Sequence, residues 1–195
     1  PATGSGSSSA NGTRLPPSSA VRQRWEKKRV IRTPGLNSQS VDSGSSPFVE
    51  GVFTYLHSAR TQIFTRMFPR CGIPDSFGDW DTYERYVRFL YETGSITEHT
   101  QLWWSVRPHL AFPTVEIRIA DGQPDLAEAQ SLAALMFALT ARIARAIDEG
   151  EPLPDHPHRL LEENLWRAIR HGLSGHFIDL DTGDVRPARA EIERL

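Results

Sequence analysis

Polar and apolar positions after residue 80 follow two different periods. From Asp81 onward, Tyr83, Val87, Leu90 and Tyr91 recur on one helical face. Asp81-Thr82-Tyr83-Glu84 in front of them has capping-box spacing, with Asp in place of Ser or Thr, and Gly94 supplies a stop. Asp125-Leu126-Ala127-Glu128 repeats the device ahead of the longest pattern, Leu132, Leu135, Met136, Leu139, Ile143 and Ile147, which runs to Gly150. Ala129, Ala133, Ala134, Ala138 and Ala141 raise the helix propensity of that stretch and permit close packing. A third helix is predicted after Asp155, with Pro157 in its first turn, Leu161, Leu165 and Ile169 along it, and an end at Gly172.

Period two takes over between the first two helices. Gln101 to Arg107 and Thr114 to Ala120 alternate β-branched or aromatic residues with polar ones, and Ala111-Phe112-Pro113-Thr114 separates them. Phe177 to Leu180, followed by Asp181-Thr182-Gly183-Asp184, predicts a second, smaller hairpin. Upstream, Pro47 and Gly51 predict a loop and Ser58 to Met67 a helix. The class is α+β, an antiparallel sheet with packed helices.

Composition divides the chain. Residues 1–46 hold 11 Ser, 5 Gly and 4 Pro, with 7 basic residues against 2 acidic. Residues 47–195 hold 15 Arg, no Lys and 22 acidic residues. A segment such as Gly4-Ser5-Gly6-Ser7-Ser8-Ser9 buries too little to offset its ordering entropy, so 1–44 reads as a disordered Ser/Gly/basic tail and 45–195 as the folded domain. The cluster Arg22-Gln23-Arg24-Trp25-Glu26-Lys27-Lys28-Arg29 could grip nucleic acid, but a solvated charge run is the simpler reading. A net charge of -2 gives no general reason for a nucleic-acid partner. The lysine-free body excludes a P-loop lysine and a Schiff-base lysine. One cysteine, Cys71, excludes an internal disulfide framework and a Cys-rich zinc site. The uncharged run Ser131 to Ala141 falls short of the ~20 residues of a membrane helix, and no apolar signal stretch stands near Pro1. The expectation is a piece of a cytoplasmic protein with no membrane contact.

Candidate chemistry gathers in Trp103-Trp104-Ser105-Val106-Arg107-Pro108-His109-Leu110-Ala111-Phe112-Pro113-Thr114-Val115-Glu116-Ile117-Arg118-Ile119-Ala120-Asp121. If residues 111–114 form a four-residue turn, Leu110 pairs with Val115, His109 stands opposite Glu116, and Arg107 opposite Arg118, all four polar groups on one sheet face. Two arginines directly across strands repel unless an anion joins them, and a polyphosphate suits guanidinium forks. Glu116 could instead hold a hard ion such as Mg²⁺. The plainer alternative is a salt-bridged, solvated face, Glu116 with Arg118 or Arg107.

That stretch, together with Ser46-Pro47-Phe48-Val49-Glu50-Gly51, Ser58-Ala59-Arg60-Thr61-Gln62, Gly72-Ile73-Pro74, Phe77-Gly78 and Glu163-Asn164-Leu165-Trp166-Arg167-Ala168-Ile169-Arg170-His171-Gly172-Leu173, resembles the glutamate–cysteine ligase type 2 family, the YbdK-like carboxylate-amine ligases. The resemblance covers about residues 45–195. It implies a glutamine-synthetase-like fold whose antiparallel sheet floors the active site, and an ATP- and Mg²⁺-dependent ligase. Such an enzyme joins the γ-carboxylate of glutamate to cysteine or another amine through an acyl phosphate, as in glutathione biosynthesis. It also implies Glu116 as metal ligand and, with Arg118 on the nucleotide phosphates, as catalytic residue. Arg107 and His109 would line the same floor, with Arg60, Asn164 and Arg167 as further candidates for ATP or substrate. The implied partners are these small molecules, with a homo-oligomer open and nucleic acid disfavoured.

The chain departs from the family pattern in places. Phe53-Thr54-Tyr55 stands where many members have Asp-Thr-Gly. A Gly-Val-Glu-Glu-Glu-type segment with further metal carboxylates and a His-Val-His-type strand are missing, as is the C-terminal helical region. The expectation is a partial domain, incomplete for catalysis by itself, with a non-catalytic binding or oligomerisation module as the alternative. His156-Pro157-His158 reads as a solvated loop, Cys71 as a small loop residue, and Trp103, Trp104 and Trp166 as core or interface aromatics. Arg170 and His171 suit the negative end of the third helix.

Overall fold

The computed structural model describes residues 47–109, 112–120, 123 and 125–195, so the tail predicted over 1–44 lies outside the described residues. Where the sequence predicts only a loop, a small hairpin forms, β1 (Phe48–Val49) against β2 (Val52–Phe53). Glu50 and Gly51 turn it at positive φ, and the Thr54 N–H and hydroxyl both donate to the Pro47 carbonyl, at 2.9 and 2.7 Å. Helix α1 (Ala59–Met67) begins where predicted, because the buried Ser58 hydroxyl accepts from the Thr61 N–H and satisfies a helix-end donor. The N–H groups of His57 and Ser58 donate to the Ile169 carbonyl and tie the start of α1 to a distant helix.

After α1, β3 (Cys71–Gly72) runs parallel to β4 (Trp103–Trp104), so the sheets are not purely antiparallel. Gly72 sits at φ +88, and an added Cβ would meet Thr65 Cγ2 at 3.2 Å. A glycine there lets β3 run close against α1. Helix α2 (Trp80–Glu92) starts earlier than the predicted cap: Asp79, rather than Asp81, accepts from the Thr82 N–H at 2.7 Å. Its face Trp80, Tyr83, Val87 and Leu90 packs on Ile96, Leu102 and Trp104 to form the main core. Full burial of each such side chain contributes roughly 1.5–3 kcal/mol.

Strands β5 (Val106–Pro108) and β6 (Val115–Ile117) pair antiparallel, as the alternation predicts. The longest helix, α3 (Leu126–Glu149), has both predicted ends: Asp125 accepts from the Glu128 N–H at 2.9 Å, and Gly150 closes it in the left-handed conformation. By length and composition α3 could cross a membrane, beyond what the run Ser131 to Ala141 suggests. Helix α4 (His158–His171) ends before Gly172, with Pro157 one place ahead of it rather than in its first turn. Strands β7 (His176–Ile178) and β8 (Val185–Pro187) form the predicted second hairpin, and α5 (Ala188–Arg194) follows. Ala168, Phe177 and Ala188 make a second small core. Among the described residues every sheet has two strands.

Candidate functional site

The β5–β6 register differs from the predicted one by two residues. Arg107 stands opposite Glu116 and Pro108 opposite Val115, while the His109 N–H donates to the Thr114 carbonyl at 2.9 Å. Leu110, expected to pair with Val115, lies outside the described residues. A shift of two keeps every side chain on its face but exchanges the partners. It replaces the like-charged pair Arg107–Arg118 with the opposite-charged pair Arg107–Glu116, which is the favourable arrangement across strands.

Glu116 is the hub. Its Oε2 accepts from Arg107 Nε at 2.8 Å, with Arg107 Nη2 also 2.8 Å away, and its Oε1 accepts from Arg118 Nη1 at 2.9 Å. Burial raises the Glu116 pKa, but hydrogen bonds from Arg107 and Arg118, and their charges, outweigh it and leave the carboxyl below the usual range. Arg107 is buried, and its Nη1 donates to the carbonyls of Thr100 and Leu102 at 2.6 and 2.7 Å. Its guanidinium is thereby committed to the protein. Arg118 is more exposed, and its N–H donates to the Ser105 carbonyl at 2.7 Å, which fixes its backbone.

Arg118 opens into a cavity of about 440 Å³ between α1 and the segments around Trp103 and Arg118. That volume lies in the ~300–1,000 Å³ range of small-ligand sites. Arg60 from α1 faces into it, its Cζ 4.8 Å from the Phe64 ring centroid. Phe64, Phe68 and Trp103 line the wall, with Phe64 and Phe68 5.4 Å apart and Phe68 edge-on to Trp103 at 6.1 Å. Arg70 lies 5.9 Å over Trp103. Cys71 is in the same wall, where burial pushes its thiol up against the pull of Arg118 and Arg70, so it is not an activated nucleophile. Two guanidinium groups beside an aromatic wall can take an anionic ligand that carries a flat ring.

The structure thus brings Arg60 and Arg118 to the cavity, with Glu116 bound to Arg118 and Arg107 behind Glu116. It does not bring the others to the cavity. His109 Nδ1 accepts from the Phe112 N–H at 3.2 Å, and its ring packs 5.1 Å from His99. Asn164 is fully buried; its Nδ2 donates to the Ile178 carbonyl at 2.8 Å and its Oδ1 accepts from the Ile178 N–H at 2.9 Å, joining α4 to β7. Arg167 Nε donates to Glu163 at 2.9 Å. Arg170 donates to the Tyr55 carbonyl. His156 and His158 diverge, towards Asp181 at 3.6 Å and Asp75 at 3.4 Å.

Sequence reasoning passed over Phe64 and Phe68 and placed Trp103 among core or interface aromatics. Their sequence signal is the four-residue spacing of Phe64 and Phe68, with Phe64 on α1 and Phe68 just past its end, on a different side of the helix from Ala59 and Ile63. For a magnesium ion this donor set offers one carboxylate, Glu116, whose oxygens also accept from guanidinium groups, and no group of three or more His, Cys, Asp or Glu among the described residues could hold a metal.

Comparison with known proteins adds three findings. The family described as Glutamate-cysteine ligase family 2 matches residues 43–195. A protein of Rubrobacter xylanophilus, provisionally named glutamate–cysteine ligase 2-2, is 40% identical over 153 residues, 78% of this chain and 40% of its own. Provisionally named relatives from Frankia casuarinae, 40% identical over 153 residues, and Gloeobacter violaceus, 40% over 152, each cover 78% of this chain and 40% and 41% of their own. The chain spans about two-fifths of the length of the curated relatives it matches.

Proposed function

The chain belongs to glutamate-cysteine ligase family 2, and from that premise we propose that it carries the nucleotide-binding part of an ATP-dependent carboxylate–amine ligase. Its α+β architecture is consistent with a glutamine-synthetase-like fold. The observation that carries the reading is Arg118, braced by Glu116 at the mouth of a cavity with an aromatic wall. ATP sits there with its base against Phe64, Phe68 and Trp103 and its phosphates towards Arg118 and Arg60.

In the reaction, the γ-carboxylate of glutamate takes the terminal phosphoryl group of ATP and ADP leaves; the amine of cysteine or a related compound then displaces phosphate from the acyl phosphate and loses a proton, leaving a γ-glutamyl amide. Positioned cations do most of such work, because charge grows on phosphate oxygens and no protein nucleophile is needed. Arg118 supplies that charge, Glu116 holds it in one rotamer, and Arg107 holds Glu116. A magnesium ion would need carboxylates besides Glu116, whose oxygens also accept from two guanidinium groups.

Calorimetric titration of the full chain with ATP tests the reading. Saturable binding is expected, with quenching of tryptophan fluorescence from Trp103, and Arg118→Ala should weaken it at least tenfold, about 1.4 kcal/mol. Equal affinity in the variant, or no binding by the wild type, would reject the site. The non-catalytic module has one observation in its favour: Glu116 is engaged with Arg107 and Arg118 in a salt-bridged sheet face. ATP bound tightly but never converted to ADP, even with the remainder of a relative supplied, would decide for it.

A further inference from the structure

Behind the aromatic wall of the cavity stands a cation that the nucleotide reading does not use. Arg70 follows Pro69 in the link from α1 to β3 and holds φ +61, in the left-handed region that residues other than glycine seldom adopt. Such a conformation persists only where the surroundings hold it, and it gathers at ligand clamps. Arg70 has two such holds. Its Nε donates to the Gln101 carbonyl at 3.4 Å, and its Cζ lies 5.9 Å from the Trp103 ring centroid. Its neighbour Cys71 pairs with Trp103 in the β3–β4 ladder, so the backbone is fixed on both sides of the contact.

Trp103 is thereby set in place from two directions. The Arg70 guanidinium lies over the indole, and the Phe68 ring meets it edge-on at 6.1 Å. Trp103 and Phe68 line the cavity, whereas Arg70 does not. A partly exposed indole without such supports changes rotamer freely, and a ligand that stacks on it must first fix it. A ring already held in its bound position spares the ligand that loss.

We propose that Arg70 is a positioning residue: it holds Trp103 as the platform for the base, and so makes the cavity select a nucleotide over a bare polyphosphate. This role rests on the nucleotide reading of the cavity and deepens it. Arg60 and Arg118 can take the phosphates of either ligand, so discrimination between the two comes from the aromatic wall. Arg70 serves that discrimination through Trp103, and not by its own charge on the phosphates.

Calorimetric titration of the full chain with ATP and, separately, with inorganic tripolyphosphate tests this role. Arg70→Gly is the main variant, because glycine accepts the positive φ and only the side chain is lost, and circular dichroism checks its fold. ATP affinity is expected to fall about fivefold while tripolyphosphate affinity stays within about twofold, and Arg70→Lys should recover part of the loss. In a Trp103→Leu background the same Arg70→Gly change should have no further effect on ATP. Without any ligand, acrylamide should quench tryptophan fluorescence more strongly in Arg70→Gly than in wild type, and the gain should vanish in the Trp103→Leu background. An equal loss for both ligands would put Arg70 on the phosphates and overturn the positioning role. Unchanged ATP affinity, unchanged quenching, or a loss that persists without Trp103 would overturn it too. In each of those cases ATP still binds the wild type and the nucleotide site stands. A wild type that binds no ATP rejects the nucleotide reading, and the role of Arg70 falls with it.

Discussion

Glu116 sits where two effects oppose one another. Burial raises its pKa, while the hydrogen bonds and charges of Arg107 and Arg118 lower it by more, so the folded value falls below the ordinary 4.5. The stability from this ionised hub is therefore complete above that ordinary value and is lost as the pH drops below it and the carboxylate takes a proton. Glu116→Gln should thus lower the urea midpoint at about pH 7, and the gap to wild type should narrow at about pH 3. A gap that stays constant across that range would show that the carboxylate is not held by its charge. His99 behaves in the opposite sense to a cation: burial, then His109 and Arg107, push its pKa down and keep it neutral beside the arginine.

Among elements, the join between α4 and β7 depends on one side chain. The fully buried Asn164 satisfies both backbone groups of the half-buried Ile178, so its removal leaves that donor and acceptor without this partner. Asn164→Ala is expected to cost about 2–4 kcal/mol in chemical unfolding, and ATP affinity should stay within twofold of wild type. A variant that folds normally but loses ATP would return Asn164 to the binding site that the resemblance implied. The Ser58 and Asp125 caps are similar local devices, each accepting from an N–H three residues on. Such contacts begin a helix whatever surrounds it, which is why the ends of α3 stand where the residue pattern puts them.

For the molecule as a whole, the cavity joins α1 to the segments around Trp103 and Arg118, so a ligand there would bridge parts of the chain that are distant in sequence. The melting temperature should rise with ATP concentration, following mass action, and the rise should shrink in Arg118→Ala. A melting temperature indifferent to ATP would reject the cavity as a nucleotide site. Helices α1 to α4 and both antiparallel hairpins of the second half, the chemistry-rich strand pair among them, were legible in the chain, whereas α5 and the β1–β2 and β3–β4 pairs were not. Periodicity, caps and turn residues act over one helical turn or one loop, and neighbours in sequence suffice to specify them. Register was not legible, because a slip of two residues preserves the alternation, and only the pairing of Arg107 with Glu116 against Thr100 and Leu102 selects one ladder. Nor could the cavity be read, since it needs Arg60 and Phe64 from α1 to meet Trp103 and Arg118 from distant segments. Contacts of that kind are settled when the elements pack, and nothing local to any one of them encodes the meeting.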